Sequence, residues 1–172
     1  MVMSLSSSGK ILWRKFYGKT AAEGSQIIKQ APDNTFIISS QTEDQKLWVL
    51  NISSKGEVLW ENKQGTYAWP NDLLSIKGYG YIVCAVELGE ERRGSKSKAW
   101  IVHFNESGKI LSSKYYGGTG ANSCRSIIGM PEKLFVIGQT IDTSEKSRNF
   151  AWGKESFSTL WIIRKNTLRE KH

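Results

Sequence analysis

An all-β repeat fold is what this 172-residue sequence predicts, on the strength of three observations. The phrase GKILWRKFYG, residues 9–18, returns as GEVLWENKQG at 56–65 and as GKILSSKYYG at 108–117, with glycine at both ends each time. Between these anchors the apolar residues fall in short runs rich in Ile, Val, Trp, Phe and Tyr. The runs are bounded by Gly, Asn, Asp, Ser and Pro, which is the composition of strands separated by turns. No segment keeps the apolar periodicity of a helix over three turns, so little or no helix is expected.

The anchors Gly9, Gly56 and Gly108 stand 47 and 52 residues apart, a spacing that marks a repeat architecture. Within the first full period four strands are predicted in order: SQIIKQA, TFIISSQ, LWVLNIS and EVLWENKQ. The first carries the pair Ile27-Ile28, which recurs as Leu73-Leu74 and Ile127-Ile128. The second carries Phe36-Ile37-Ile38, which recurs as Tyr81-Ile82-Val83 and Phe135-Val136-Ile137. The third carries Trp48, matched by Trp100 and Trp161, and by Met1 in the N-terminal copy; the fourth is the framed phrase itself. SSSGKI, SSKGEV and NESGKI place glycine between the third and fourth strands, where a hairpin needs a positive φ, so those two strands are expected to be antiparallel neighbours. PDNT and KGYGY supply turns between the first and second.

Four strands in a period of about 50 residues describe a β-propeller blade, a small twisted sheet that buries its faces against its neighbours. The pattern also resembles bacterial and archaeal β-propeller repeats that read G-x-[IV]-x-W-x-K-x-Y-G-G, then an apolar pair, then D-G-G-[YF]-[IV]-[IV]-x-G, then W-[VI]-x-[KR]-[LF]-D. The best matches are Gly9 to Gly18, Phe135-Val136-Ile137-Gly138 and WVLNISSKG. The D-G-G turn is replaced by Asp33-Asn34-Thr35, Gly78-Tyr79-Gly80 and Pro131-Glu132-Lys133. Quinone-dependent dehydrogenases have a similar tryptophan-bearing blade, but nothing in this chain matches their cofactor contacts. The resemblance therefore implies a propeller-type fold of about three blades per chain and no particular activity. The chain reads as one domain, 1–172, with two strands at 1–18, blades at 19–65 and 66–117, and an incomplete blade at 118–172.

A hydrophobic content of 39% with 23% charged residues excludes a disordered chain. No apolar run approaches the ~20 residues needed to span a bilayer, and the start MVMSLSSSGK has neither the basic nor the apolar part of a signal peptide, so a cytoplasmic location is expected. Twenty-four Lys and Arg against sixteen Asp and Glu give a net charge of +8, which attracts anionic partners. Cys84 and Cys124 are far apart and lack C-x-x-C spacing; the reading favours buried free thiols over a disulfide.

Trp13, Trp48, Trp60, Trp100 and Trp161 sit at repeated strand positions and are expected to pack between sheets. Trp69 stands apart, in TYAWPND, which reads as a loop. Tyr67, Trp69 and Asn71 there are binding candidates, with loop packing as the other reading. Two insertions, ERRGSKSK at 91–98 and EKSRNFAWGK at 145–154, fall between the second and third strands of successive repeats, where the first repeat has TEDQK. They make Arg92, Arg93, Lys96, Arg148 and Trp152 candidates for an anionic or protein partner, against the plainer reading of solvated loops. YYGGTGANS lacks the G-K-[ST] ending of a phosphate loop and reads as a turn. Neither His103 nor His172 has partners at metal-ligand spacing, and no catalytic, cofactor or metal motif is assigned. The expected function is a non-enzymatic interaction or scaffold module binding a protein or anionic polymer through loops. A nucleic-acid binder and an enzyme with a channel-borne site are the alternatives.

Three blades are too few to ring an axis, since closed propellers use about four to eight. The expectation is a homodimer in which the framed N-terminal strand of each chain completes the open blade of the other and MVMSLSS is displaced, Met1 standing where the other copies have tryptophan; the alternatives are a piece of a longer propeller and, last, a strained or open monomer.

Overall fold

A computed structural model describes residues 1–18, 27–88, 97–117, 120–129, 133–141 and 156–164, with 141 and 156–164 as backbone. Among the described residues there are thirteen strands and no helix. The strands form four antiparallel sheets, each ordered as in the chain. The first holds β1 (Val2–Leu5) and β2 (Ile11–Lys15). The second holds β3 (Ile27–Gln30), β4 (Phe36–Gln41), β5 (Leu47–Ile52) and β6 (Val58–Gln64). The third holds β7 (Ala68–Ile76), β8 (Gly80–Glu87), β9 (Lys98–Phe104) and β10 (Ile110–Tyr116). The last holds β11 (Ala121–Gly129), β12 (Lys133–Ile141) and β13 (Ser156–Arg164).

The hairpins follow from local chemistry. Ser6, Ser53 and Asn105 each donate their N–H to the carbonyl four residues on, and their own carbonyls accept from Gly9, Gly56 and Gly108 at 2.9–3.0 Å. The three glycines have φ of +81°, +76° and +82°, which closes a three-residue loop with the last residue left-handed. The side chains of Ser6, Ser53 and Asn105 also accept from the N–H of Lys10, Glu57 and Lys109, fixing each loop from inside. Asn34 and Gln45 take the same left-handed place in the β3–β4 and β4–β5 turns.

Sheets stack face to face in chain order, because their central strands are apolar on both sides. In β5, Leu47 and Val49 face the β7–β10 sheet, while Trp48, Leu50 and Ile52 face Val2, Trp13 and Tyr17 of the β1–β2 sheet. In β8, Tyr81, Val83 and Ala85 face back toward β3–β6, while Ile82 and Cys84 face Ile127, Leu134 and Val136 of the last sheet. One strand alternation thus feeds two cores, which explains the near-continuous apolar runs in the sequence. The first strand of each larger sheet lies toward one side, with β7 packed between β3 and β11.

Successive sheets meet through a repeated joint. Trp13 of β2 donates its indole N–H to the Ser54 carbonyl at 3.0 Å, in the turn of the next sheet, and Trp60 of β6 donates to Glu106 at 3.1 Å in the turn after that. Tyr17 and Asn62 add bonds to the carbonyls of Gly56 and Gly108 at 2.7 and 3.1 Å. The expected inter-sheet role of Trp13, Trp48, Trp60 and Trp100 agrees with these positions; Trp161 lies in β13, where only the backbone is described.

The thiol expectation is overturned. Cys84 of β8 and Cys124 of β11 form a disulfide with Cα atoms 5.7 Å apart. Both residues are fully buried on facing strands of adjacent sheets, a meeting that the 40-residue separation in sequence does not reveal. Closing a loop of that length stabilises by about 2–4 kcal/mol, mainly by restricting the unfolded chain. Replacing both cysteines with alanine is expected to lower the unfolding free energy by that much, read from denaturant melts, with no change in native far-UV circular dichroism. Thiol titration of the unreduced, denatured wild type is expected to find no free thiol.

Candidate functional site

The segment TYAWPND is not a loop. Ala68–Ile76 forms β7, and Trp69 pairs with Val86 in the ladder with β8. The proline that suggested a loop sits beside a β-bulge on an edge strand, where its missing N–H costs no ladder bond. Tyr67 stands just before the strand with φ +53°, its carbonyl accepting from Leu88 at 3.0 Å. Asn71 is the bulge residue. It reaches across to the next sheet and donates its amide to the Cys124 carbonyl at 2.5 Å. Its neighbour Asp72 accepts from the Ser126 hydroxyl at 2.8 Å and the Ile127 N–H at 2.9 Å, with Lys29 of β3 at 3.8 Å. The bulge therefore ties three sheets together, and the Asn71 amide is spent on that work. Trp69 and Tyr67 remain half-buried. Arg92, Arg93, Lys96, Arg148 and Trp152 lie outside the described residues.

A cleft of about 250 Å³ opens between the turns of the second and third sheets, lined by Asp33, Ser75, Lys77, Tyr81 and Glu106 among others. Asp33 accepts from the Thr35 hydroxyl at 2.7 Å, which holds its carboxyl below the ordinary range. Burial pushes the Tyr81 phenol up, and the charge of Asp33 adds to the effect, so the phenol stays a hydrogen-bond donor. Its oxygen accepts from the Asn51 amide at 3.0 Å, while Glu106 accepts from the Gly78 N–H at 3.0 Å. Two carboxylates beside a protonated phenol and a lysine can recognise polar groups by charge and hydrogen bonding. His103 is fully buried, 2.7 Å from the Tyr79 carbonyl and stacked on the Tyr79 ring at 4.3 Å, the geometry of a packed strand residue. Among the described residues no three His, Cys, Asp or Glu side chains gather as metal ligands.

A second exposed feature is apolar and lies on the first and last of the described sheets. On the first sheet Met1, Met3, Leu5, Leu12 and Phe16 are exposed, Phe16 by 73%. On the last sheet Ile128 and Ile137 are exposed, 60% and 48%, beside a groove of about 130 Å³ that Phe135 also lines. Sequence spacing missed the cleft because its residues come from three turns. It missed the open faces because each repeats positions that are buried within the stack: Ile28 pairs with Ile38 as Leu73 pairs with Val83, yet Ile28 is 50% exposed and Leu73 2%. No helix among the described residues is long and apolar enough to cross a membrane. No known family profile matches the chain, and no curated protein matches it.

Proposed function

We propose that the chain is a non-enzymatic interaction module built from propeller-type blades, and that it binds protein through its two open end sheets. The observation that carries this reading is the pair of exposed apolar faces on the first and last of the described sheets. Contiguous apolar surface of this kind is a usual mark of a protein-binding face. The cleft of Asp33, Tyr81 and Glu106 adds a polar recognition point at the turn side of the same stack. The polyanion reading retains the net charge of +8, since the basic insertion residues that supported it lie outside the described ones. The Cys84–Cys124 disulfide favours work in an oxidising compartment over the cytoplasm, because structural disulfides persist where thiols are not kept reduced.

Light scattering on the purified chain tests the reading. An association-competent module is expected to run well above the chain mass of 19.4 kDa, and to do so in a concentration-dependent way. A monodisperse 19.4 kDa particle that melts cooperatively at every concentration overturns self-association and leaves the end faces without the role assigned to them.

A further inference from the structure

Resting on that reading, we propose that the occupant of the open ends is a second copy of this chain, joined by strand exchange. Strand β13 of one copy pairs with β2 of the other in place of β1, giving a four-stranded sheet β11-β12-β13-β2 shared between two chains.

The register identifies the partner strand. In the ladder of β5 with β6, Trp48 stands opposite Lys63, whose ammonium lies 5.1 Å over the indole. In the ladder of β9 with β10, Trp100 stands opposite Tyr115, with the rings stacked at 5.8 Å. The equivalent residue, immediately after β2, is Phe16. Val2 is paired with Lys15, so the next step in that register sets Met1 against Phe16, which stays 73% exposed. Phe16 thus lacks the indole that its two counterparts have. The remaining tryptophan of the series is Trp161, on β13, and among the described residues β13 pairs with β12 alone. Exchange sets Trp161 opposite Phe16 and Ile163 opposite Arg14. It also replaces a four-residue strand by a nine-residue one.

The faces agree with the register. The β1–β2 sheet covers Trp48, Leu50 and Ile52 of the second sheet but leaves Ile28 of β3 half exposed, since among the described residues no strands equivalent to β11 and β12 pack on that half. A composite sheet brings the exposed Ile128 and Ile137 of the partner over that bare half. The joint is head to tail. Repeated in both directions it closes after two chains into a ring of about six sheets, inside the range of closed propellers. An unrelated partner would match neither the strand inventory nor the register.

Two mixtures of variants, each carrying one introduced cysteine beside the native Cys84–Cys124 disulfide, test the exchange: Phe16→Cys with Trp161→Cys, and Arg14→Cys with Ile163→Cys. Directly opposed residues in an antiparallel ladder have Cα atoms about 4.5 or 5.5 Å apart, within disulfide reach. Air oxidation is expected to give interchain cross-links in both mixtures and in none of the variants alone. Light scattering on the same samples separates the outcomes. A dimer without either cross-link overturns the exchange and leaves the interaction reading standing; a monomer overturns both. A Val2→Cys/Lys15→Cys chain that closes within itself at high concentration, with no interchain product in the mixtures, also overturns the exchange.

Discussion

Trp100→Ala is expected to cost about 3–5 kcal/mol, the range for removing a large aromatic from a packed core. Trp100 is 3% exposed in the core between the second and third sheets, among Leu47, Val49 and Tyr81. Its indole N–H donates to the Ser113 hydroxyl at 2.8 Å, and its ring lies against the backbone of Gly65 and stacks on Tyr115. Truncation leaves a void that the rigid central strands β5 and β8 cannot close, and strips Tyr115 of its stacking partner. Trp69→Ala, in the same sheet, is expected to lose well under half as much, since Trp69 is only half-buried on the edge strand β7. Denaturant melts of the two variants side by side check the ordering. Equal losses would return Trp69 to the core and remove it from any recognition surface.

The contrast between these tryptophans shows where the sequence was readable. Strand identity and sheet order were legible because the turns are written in local chemistry. A glycine with positive φ and a Ser or Asn three residues before it close the β1–β2, β5–β6 and β9–β10 hairpins. The stacking of sheets was legible because Leu47 to Ile52 and Tyr81 to Ala85 are apolar at both parities, which only a strand buried on two faces needs. Position in three dimensions was not. Pro70 and Asn71 looked like loop residues because a bulge on an edge strand uses the same residue types as a turn. Cys84 and Cys124 looked unrelated because their strands meet through sheet stacking, not through the ladder. The cleft at Asp33, Tyr81 and Glu106 has no sequence spacing at all, since each residue belongs to a different hairpin.

The joint between sheets makes its own quantitative expectation at the framing glycines. Gly9, Gly56 and Gly108 share φ near +80°, so alanine at each pays the same left-handed backbone cost of about 1–2 kcal/mol. What differs is the neighbour. A Cβ at Gly108 would lie 2.4 Å from the Trp60 ring, and one at Gly56 would lie 3.0 Å from Trp13, Lys15 and Tyr17, whereas at Gly9 it meets nothing within 4 Å. The Trp60 ring cannot retreat without breaking its 3.1 Å bond to the Glu106 carbonyl. Overpacking a fixed ring adds about 1–3 kcal/mol. Gly108→Ala is therefore expected to lose about 2–5 kcal/mol, Gly56→Ala an intermediate amount, and Gly9→Ala only the backbone part. Removing the ring should remove the difference: in a Trp60→Ala background, Gly108→Ala is expected to cost no more than Gly9→Ala does in the wild type. Thermal or urea melts of the five variants decide it. Equal losses at the three glycines would mean that the turn alone, and not the tryptophan of the preceding sheet, requires glycine in the repeated phrase.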